Sequence, residues 1–194
     1  MGMYDIKVVH RLFILIIIPL LAMLGLLAMA ISGFSRIDAG VGSLYNDRVV
    51  PLQQLKQISD FYAVNIIDAV NKADHGLFNR DQARDNIRTA QGEIERLWQA
   101  YMATQLTPRE KQLAEQAHGQ FATANSELQR LDAFLQGAPS DLNGQLSTFN
   151  GPLYQSIDPI SGSIGELIHV QLDEAKLARE HASAVYHAVR HQMI

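Results

Sequence analysis

TPREKQLAEQAHGQFATANSELQRLDAFLQGAP, residues 107–139, holds a complete helix together with its start and stop signals. Thr107 and Glu110 are spaced as a capping box, in which each side chain satisfies the backbone N–H of the other, and Pro108 takes the first helical position, where its missing N–H costs nothing. Ala117, Phe121, Ala124, Leu128, Leu131 and Leu135 then recur at alternating spacings of four and three, which lays one apolar seam along a helix. The helix is expected to run to Gln136, with Gly137 closing it and Pro139 beyond.

The same punctuation repeats on either side. Upstream, Asn79 with Gln82 three residues on starts a helix that reaches about Ala103, with the seam Ala83, Ile87, Ala90, Ile94, Leu97 and Tyr101. Before it, a longer stretch from about Arg36 to His75 ends at Gly76, and its seam reads Leu52, Leu55, Ser59, Tyr62, Ile66, Ala69 and Ala73. Downstream, an irregular piece around Ser140 to Gly151 leads to a last helix over about Pro152 to Arg190. That helix carries Ile157, Ser161, Ile164, Ile168, Gln171, Ala175, Ala178, Ala182, Val185 and Val189 on one side. Connections this short make successive helices antiparallel. The fold class is therefore all-α: an up-down-up-down antiparallel four-helix bundle.

A different kind of helix precedes the bundle. LFILIIIPLLAMLGLLAMAI, Leu12 to Ile31, is an unbroken run of 20 uncharged residues behind Lys7, His10 and Arg11. At about 1.5 Å per residue it spans the roughly 30 Å hydrocarbon core of a bilayer. Pro19 is tolerated in such a helix. Ala28-Met29-Ala30 fits a signal-peptidase pattern, but an h-region of about 7–15 residues is shorter than this run. One transmembrane helix is expected, with its basic flank in the cytoplasm and everything after Gly33 on the far side. The domain division is then 1–11 cytoplasmic, 12–32 transmembrane and 33–194 exported bundle.

Composition narrows the function classes. The chain has no cysteine, which removes thiol chemistry and c-type haem attachment, and its net charge of −4 gives no electrostatic case for nucleic acid. Neither a nucleophile with base and orienting partner nor a phosphate-cradling glycine loop is recognisable, so no catalytic residue is assigned and an enzyme is not expected. Two Glu-x-x-His pairs, Glu115 with His118 and Glu166 with His169, match the spacing of bundle di-iron ligands. Both lie off their seams, and the other two helices offer no inward glutamate. His187 and His191 are also off the seam. Metal and cofactor are therefore both expected to be none.

The segment FYAVNIIDAV, Phe61 to Val70, has more apolar surface than one seam uses. Phe61, Val64, Ile67 and Val70 project off the seam, and a second apolar face implies a partner. The symmetric choice is the same helix of another copy, a homodimer through helix one.

The strings LYNDRVVPLQQLKQISDFYAVNIIDAVNKADHGL, WQAY and IDPISGSIGELIHVQLDEAK, set around these turns, resemble the four-helix-bundle sensory domain of bacterial methyl-accepting chemotaxis proteins. The resemblance spans essentially the whole chain, anchor included. It implies a periplasmic or extracellular domain on the bacterial inner membrane, and a homodimer binding small organic or amino acids near its membrane-distal end. It further implies a second membrane span, a HAMP segment and a signalling rod. None of these lies within the 194 residues, so the chain is expected to be a fragment or to lack that output. Related bundles also serve histidine kinases and cyclic-nucleotide enzymes.

For the ligand, the stripe Arg80, Arg84 and Arg88 at the membrane-distal start of the second helix suits a carboxylate, and its alternative is ordinary solvated charge beside Asp81 and Asp85. Helix one carries no arginine above Arg48, where the aspartate and serine receptors place theirs, which argues against an amino acid bound in their manner. The candidate ligand-binding residues are Tyr62, Asn65, Asp68, Arg84 and Tyr154, around a small organic, anionic molecule. Two function classes remain: the ligand-sensing input of a chemoreceptor, or a membrane-anchored adaptor or sensor-kinase input that binds a protein such as a periplasmic binding protein.

Overall fold

The computed structural model describes residues 8–192, without the side chains at 8, 9, 11, 37, 43, 44, 185 and 188–192. The expectations that rest on Lys7 and on the Arg11, Val185, Val189 and His191 side chains lie outside the described residues. The chain divides into two compact units, Met1–Ser43 and Leu44–Ile194.

The first unit holds α1 (Val8–Leu44), with Pro19 inside it. Its stretch from Leu12 is long and apolar enough to cross a membrane, and none of that stretch is buried by protein. Large side chains such as Leu15 and Met23 stand free, as lipid-facing residues do.

The second unit is the bundle. Its first helix is built from a π-helical turn (Tyr45–Val49), α2 (Val50–Asp60), a second π-helical turn (Phe61–Ile66) and α3 (Ile67–Asp74). Then come α4 (Arg80–Met102), α5 (Pro108–Gly137) and α6 (Ser147–Gln192). The bundle is all-α and up-down-up-down, as the seams imply. Helix one packs on α4 and α6, and α5 lies along α6. An aromatic cluster fills the space between α4 and α5. Trp98 meets Phe121 edge-on at 4.8 Å and stacks on His118 at 6.0 Å, and Tyr62 approaches Phe121 at 5.4 Å. Such contacts add about 0.5–1.5 kcal/mol each beyond area burial.

Both capping boxes form. Asn79 accepts from the Gln82 N–H at 2.9 Å, and Thr107 accepts from the Glu110 N–H at 3.3 Å. The second and third seams are buried at every expected position. Gly137, expected just past α5, is instead its last residue, and Ala138 is extended because it precedes Pro139. α6 begins at Ser147 rather than Pro152. The Asp74 carboxylate accepts the Leu146 N–H at 2.6 Å and so does for α6 what a local cap would do. Along α6, Ile157, Ile164 and Gln171 are buried as expected, but Ile160, Ser163 and Leu167 flank them rather than Ser161 and Ile168, and Ala178 and Ala182 are exposed.

Helix one departs most from expectation. Pro51 and Ile58 are buried in place of Leu52 and Ser59, and Ile67 and Val70 are core residues, only 5% and 0% exposed. For Ile67 and Val70 the physical reason is the π turn Phe61–Ile66, whose i→i+5 bonding inserts an extra residue and rotates the helix beyond it. Ile66 and Ile67, then Ala69 and Val70, all face inward. Of the proposed second stripe, Phe61 packs partly against the core and Val64, 55% exposed, stands free. The apolar surplus read as a dimer face is thus mostly used within the protomer.

Candidate functional site

The end of the bundle bearing the connections 75–79 and 138–146 is called the upper end here, and the end with the 103–107 turn the lower. The predicted ligand residues start from helix one. Tyr62 belongs to the core: it is 1% exposed, and burial, with the Glu95 carboxylate adding, pushes its hydroxyl well above the ordinary tyrosine range. Asn65, on the same π turn, is exposed. Asp68 pairs with Lys72 one turn on at 2.6 Å. Tyr154, on α6, is exposed.

Arg84 already holds a carboxylate. Its Nε donates to Asp132 Oδ1 at 2.9 Å, bridging α4 and α5, and Gln136 donates to the other oxygen at 2.8 Å. Hydrogen bonds from Arg84 and Gln136, with the charges of Arg84 and Arg88 behind them, hold the Asp132 carboxyl below its usual range. The Arg84 guanidinium is raised in turn, chiefly by its bond to Asp132. Arg80 donates to the Ala138 carbonyl at 3.0 Å and to Asp81 at 2.9 Å. Arg88 is exposed, and no ion pair to it occurs among the described residues. Beside Arg84, Arg88, Leu131 and Asp132 lies a crevice of about 10 Å³, too small for an organic ligand. A shallow groove of about 480 Å³ lies at the lower end between Met102, Leu106, Lys111 and Glu115, away from the predicted residues. The structure therefore joins Arg84 to Asp132, while Tyr62, Asn65, Asp68 and Tyr154 line neither of these two cavities.

The Glu-x-x-His residues Glu115, His118, Glu166 and His169 are all exposed, as is His187, and no metal-holding cluster occurs among the described residues.

A polar cluster at the lower end escaped the sequence reading. Arg48 Nη1, from the first π turn, donates to Glu110 Oε1 at 3.3 Å and to Gln171 Oε1 at 3.4 Å. Glu110 is fully buried, and its second oxygen accepts the Thr107 N–H at 2.5 Å, so one carboxylate both caps α5 and binds helix one. Tyr101 comes from the last turn of α4. Burial, with the Glu110 charge, pushes its hydroxyl upward, while the neighbouring Gln171 amide and Arg48 pull the other way. Signals are present: Tyr101 is the one residue with a polar group on the α4 seam, Gln171 interrupts the α6 seam, and Glu110 belongs to a capping box.

A family model described as a four helix bundle sensory module for signal transduction matches residues 5–186. The chain belongs to this family. It is a sensory, non-catalytic one, and the match takes in the apolar helix as well as the bundle. A methyl-accepting chemotaxis protein, NahY of Pseudomonas putida, is 33% identical over 171 residues, which cover 86% of this chain and 31% of that protein. The sensory module thus spans less than a third of the length of that relative. No solved structure matches the chain.

Proposed function

We propose that this sensory module is the extracytoplasmic input of a transmembrane chemoreceptor, anchored in the bacterial inner membrane by α1 with its bundle in the periplasm, and that it senses a small organic anion. Family membership over 182 of the 194 residues carries the sensing role. The chemotactic output is carried over from the relative's name. The basic stripe carries the charge preference: Arg80, Arg84 and Arg88 lie on successive turns of α4, with Arg88 exposed.

The ligand residues we propose are Tyr62, Asn65, Asp68, Arg84 and Tyr154, with Asn65 and Tyr154 as surface contacts and Tyr62 as the core support beneath Asn65. Small-molecule sites usually enclose about 300 Å³ or more. A protomer crevice of about 10 Å³ is far smaller, so a second copy would have to supply the other wall. That copy would meet helix one along Val49 and Val64, the large apolar side chains of this helix in the bundle that are at least 45% exposed beyond Tyr45.

The test is a thermal-shift screen of carboxylic, aromatic and amino acids against the chain in lipid nanodiscs. Ligand at a hundredfold excess over Kd should stabilise the fold by about 2.7 kcal/mol. Titration of Arg84→Ala and Asn65→Ala variants then tests the site, and unchanged affinity in both removes it. Stability unmoved by every small molecule, together with capture of a periplasmic binding protein, would favour the adaptor reading instead.

A further inference from the structure

The groove at the lower end has a size and a lining that the upper-end site does not use. Its volume of about 480 Å³ falls within the roughly 300–1,000 Å³ of small-molecule sites, and Met102, Thr104, Gln105, Leu106, Lys111 and Glu115 line it. Met102, the last residue of α4, is 42% exposed, and Leu106 packs partly against the core, so these two supply an apolar surface. Lys111 and Glu115 stand one turn apart on α5, both exposed, and neither makes an ion pair among the described residues. Two effects weaken their pairing with each other. A lysine four residues before a glutamate is the less favourable order on a helix. Lys111 also closes the first turn of α5, where the positive end of the helix dipole disfavours a cation. The same dipole favours an anion brought from outside.

The walls of the groove are held by their own bonds. At the end of α4 the Thr104 N–H and hydroxyl both donate to the Tyr101 carbonyl, at 3.0 and 2.7 Å, and the Ala103 N–H donates to the Gln99 carbonyl at 3.1 Å. On the α5 side the Thr107–Glu110 capping box fixes the helix start, and the buried Glu110 carboxylate is tied in turn to Arg48 of helix one. The buried polar cluster thus fastens the turn that forms the groove, which spares a ligand the cost of ordering it.

We propose that this groove is a second ligand site, taking a small zwitterion with an apolar side chain, of which an apolar α-amino acid is the simplest. Its carboxylate meets Lys111 toward the start of α5, its ammonium meets Glu115, and its side chain lies on Met102 and Leu106. The two charges of the lining balance, so a zwitterion satisfies both, whereas a lone anion or cation meets a like charge one turn away. Met102 accommodates side chains of varied shape, because its unbranched thioether repacks easily. The groove shares no residue with the upper-end site proposed above and does not depend on it.

Ligand-observed NMR titration of the 194-residue chain in nanodiscs of anionic phosphatidylglycerol, with empty discs subtracted, tests the site. L-Leucine and L-methionine should bind. Isocaproate, which is leucine without the ammonium, and isoamylamine, which is leucine without the carboxylate, should bind about tenfold or more weakly, the loss expected for one charge-assisted hydrogen bond. Lys111→Gln and Glu115→Gln should each weaken L-leucine by a similar factor, and Arg130→Gln, exposed elsewhere on α5, should leave it unchanged. Absence of binding by both amino acids would overturn the proposal. So would unchanged affinity in both groove variants, or a loss in Arg84→Ala alone, which would put the amino acid at the upper end. Glycerophosphoethanolamine carries the same two charges without the apolar side chain. Its binding in preference to L-leucine would make the occupant a lipid headgroup and overturn the proposal likewise.

Discussion

The two ends of the bundle are held by different chemistry. At the upper end the backbone does the fastening. Gly76 and Gly144 take positive φ, Gly144 donates to the Asp74 carbonyl at 2.8 Å, and Arg80 donates its N–H to the Ser140 carbonyl at 2.9 Å. Asp74 adds the cap on Leu146, and Leu142 and Leu146 plug the apolar interior. At the lower end a single short turn joins α4 to α5, and four side chains from four helices meet in a buried polar cluster. Main-chain bonds fix one geometry. Side-chain bonds at the lower end hold only while four separate helices keep their places.

The largest expected effect tests the lower end. Glu110→Ala leaves Arg48 without its charge partner and removes half of a capping box, so urea unfolding should show a loss of about 3–5 kcal/mol, the range for breaking a buried pair. At the upper end, Asp74→Ala leaves the buried Leu146 N–H without its acceptor, and the same measurement should show about 1–3 kcal/mol. An Asp74→Ala loss exceeding that of Glu110→Ala would reverse the comparison. Gly144→Ala should cost about 1–2 kcal/mol, because the left-handed backbone crowds a Cβ against the following carbonyl. Asn79→Ala, which removes the α4 cap, should cost about 1 kcal/mol. Together these state how much of the upper end is backbone geometry.

The smallest effect concerns pH. The Asp132 carboxyl is depressed in the folded bundle, so its contribution is present above the ordinary aspartate range and is lost as pH falls through its lowered folded value. Arg84→Ala removes the main cause of that depression. The variant should therefore lose less stability than the parent on acidification below about pH 4, with little difference between them in slope near neutrality. Chemical unfolding across that acid range measures it. Because the pair is largely exposed, the change should be the least of the set.

Local signals were fully legible. The two capping boxes, the seams of α4 and α5 and the apolar run of α1 depend on residues within a few turns of one another, and all appear where their spacing puts them. The predicted site residues divide differently. Asn65 and Tyr154 are exposed as a contact role needs, whereas Tyr62 sits in the core and Arg84 on Asp132, 48 positions away. No sequence spacing announces a partner at that distance.

By itself the sequence determined the all-α class, the bundle order, the long apolar first helix and the caps, because each comes from composition, from periodicity or from hydrogen bonds between near neighbours. Only the tertiary structure decided which way helix one faces after Phe61, since a π turn changes the period that any seam assumes. Only it decided that Asp74 caps a helix 72 residues later, and that Arg48, Tyr101, Glu110 and Gln171 share one buried level. Those contacts arise from packing of distant segments, where desolvation makes each polar group seek whatever partner the fold brings near.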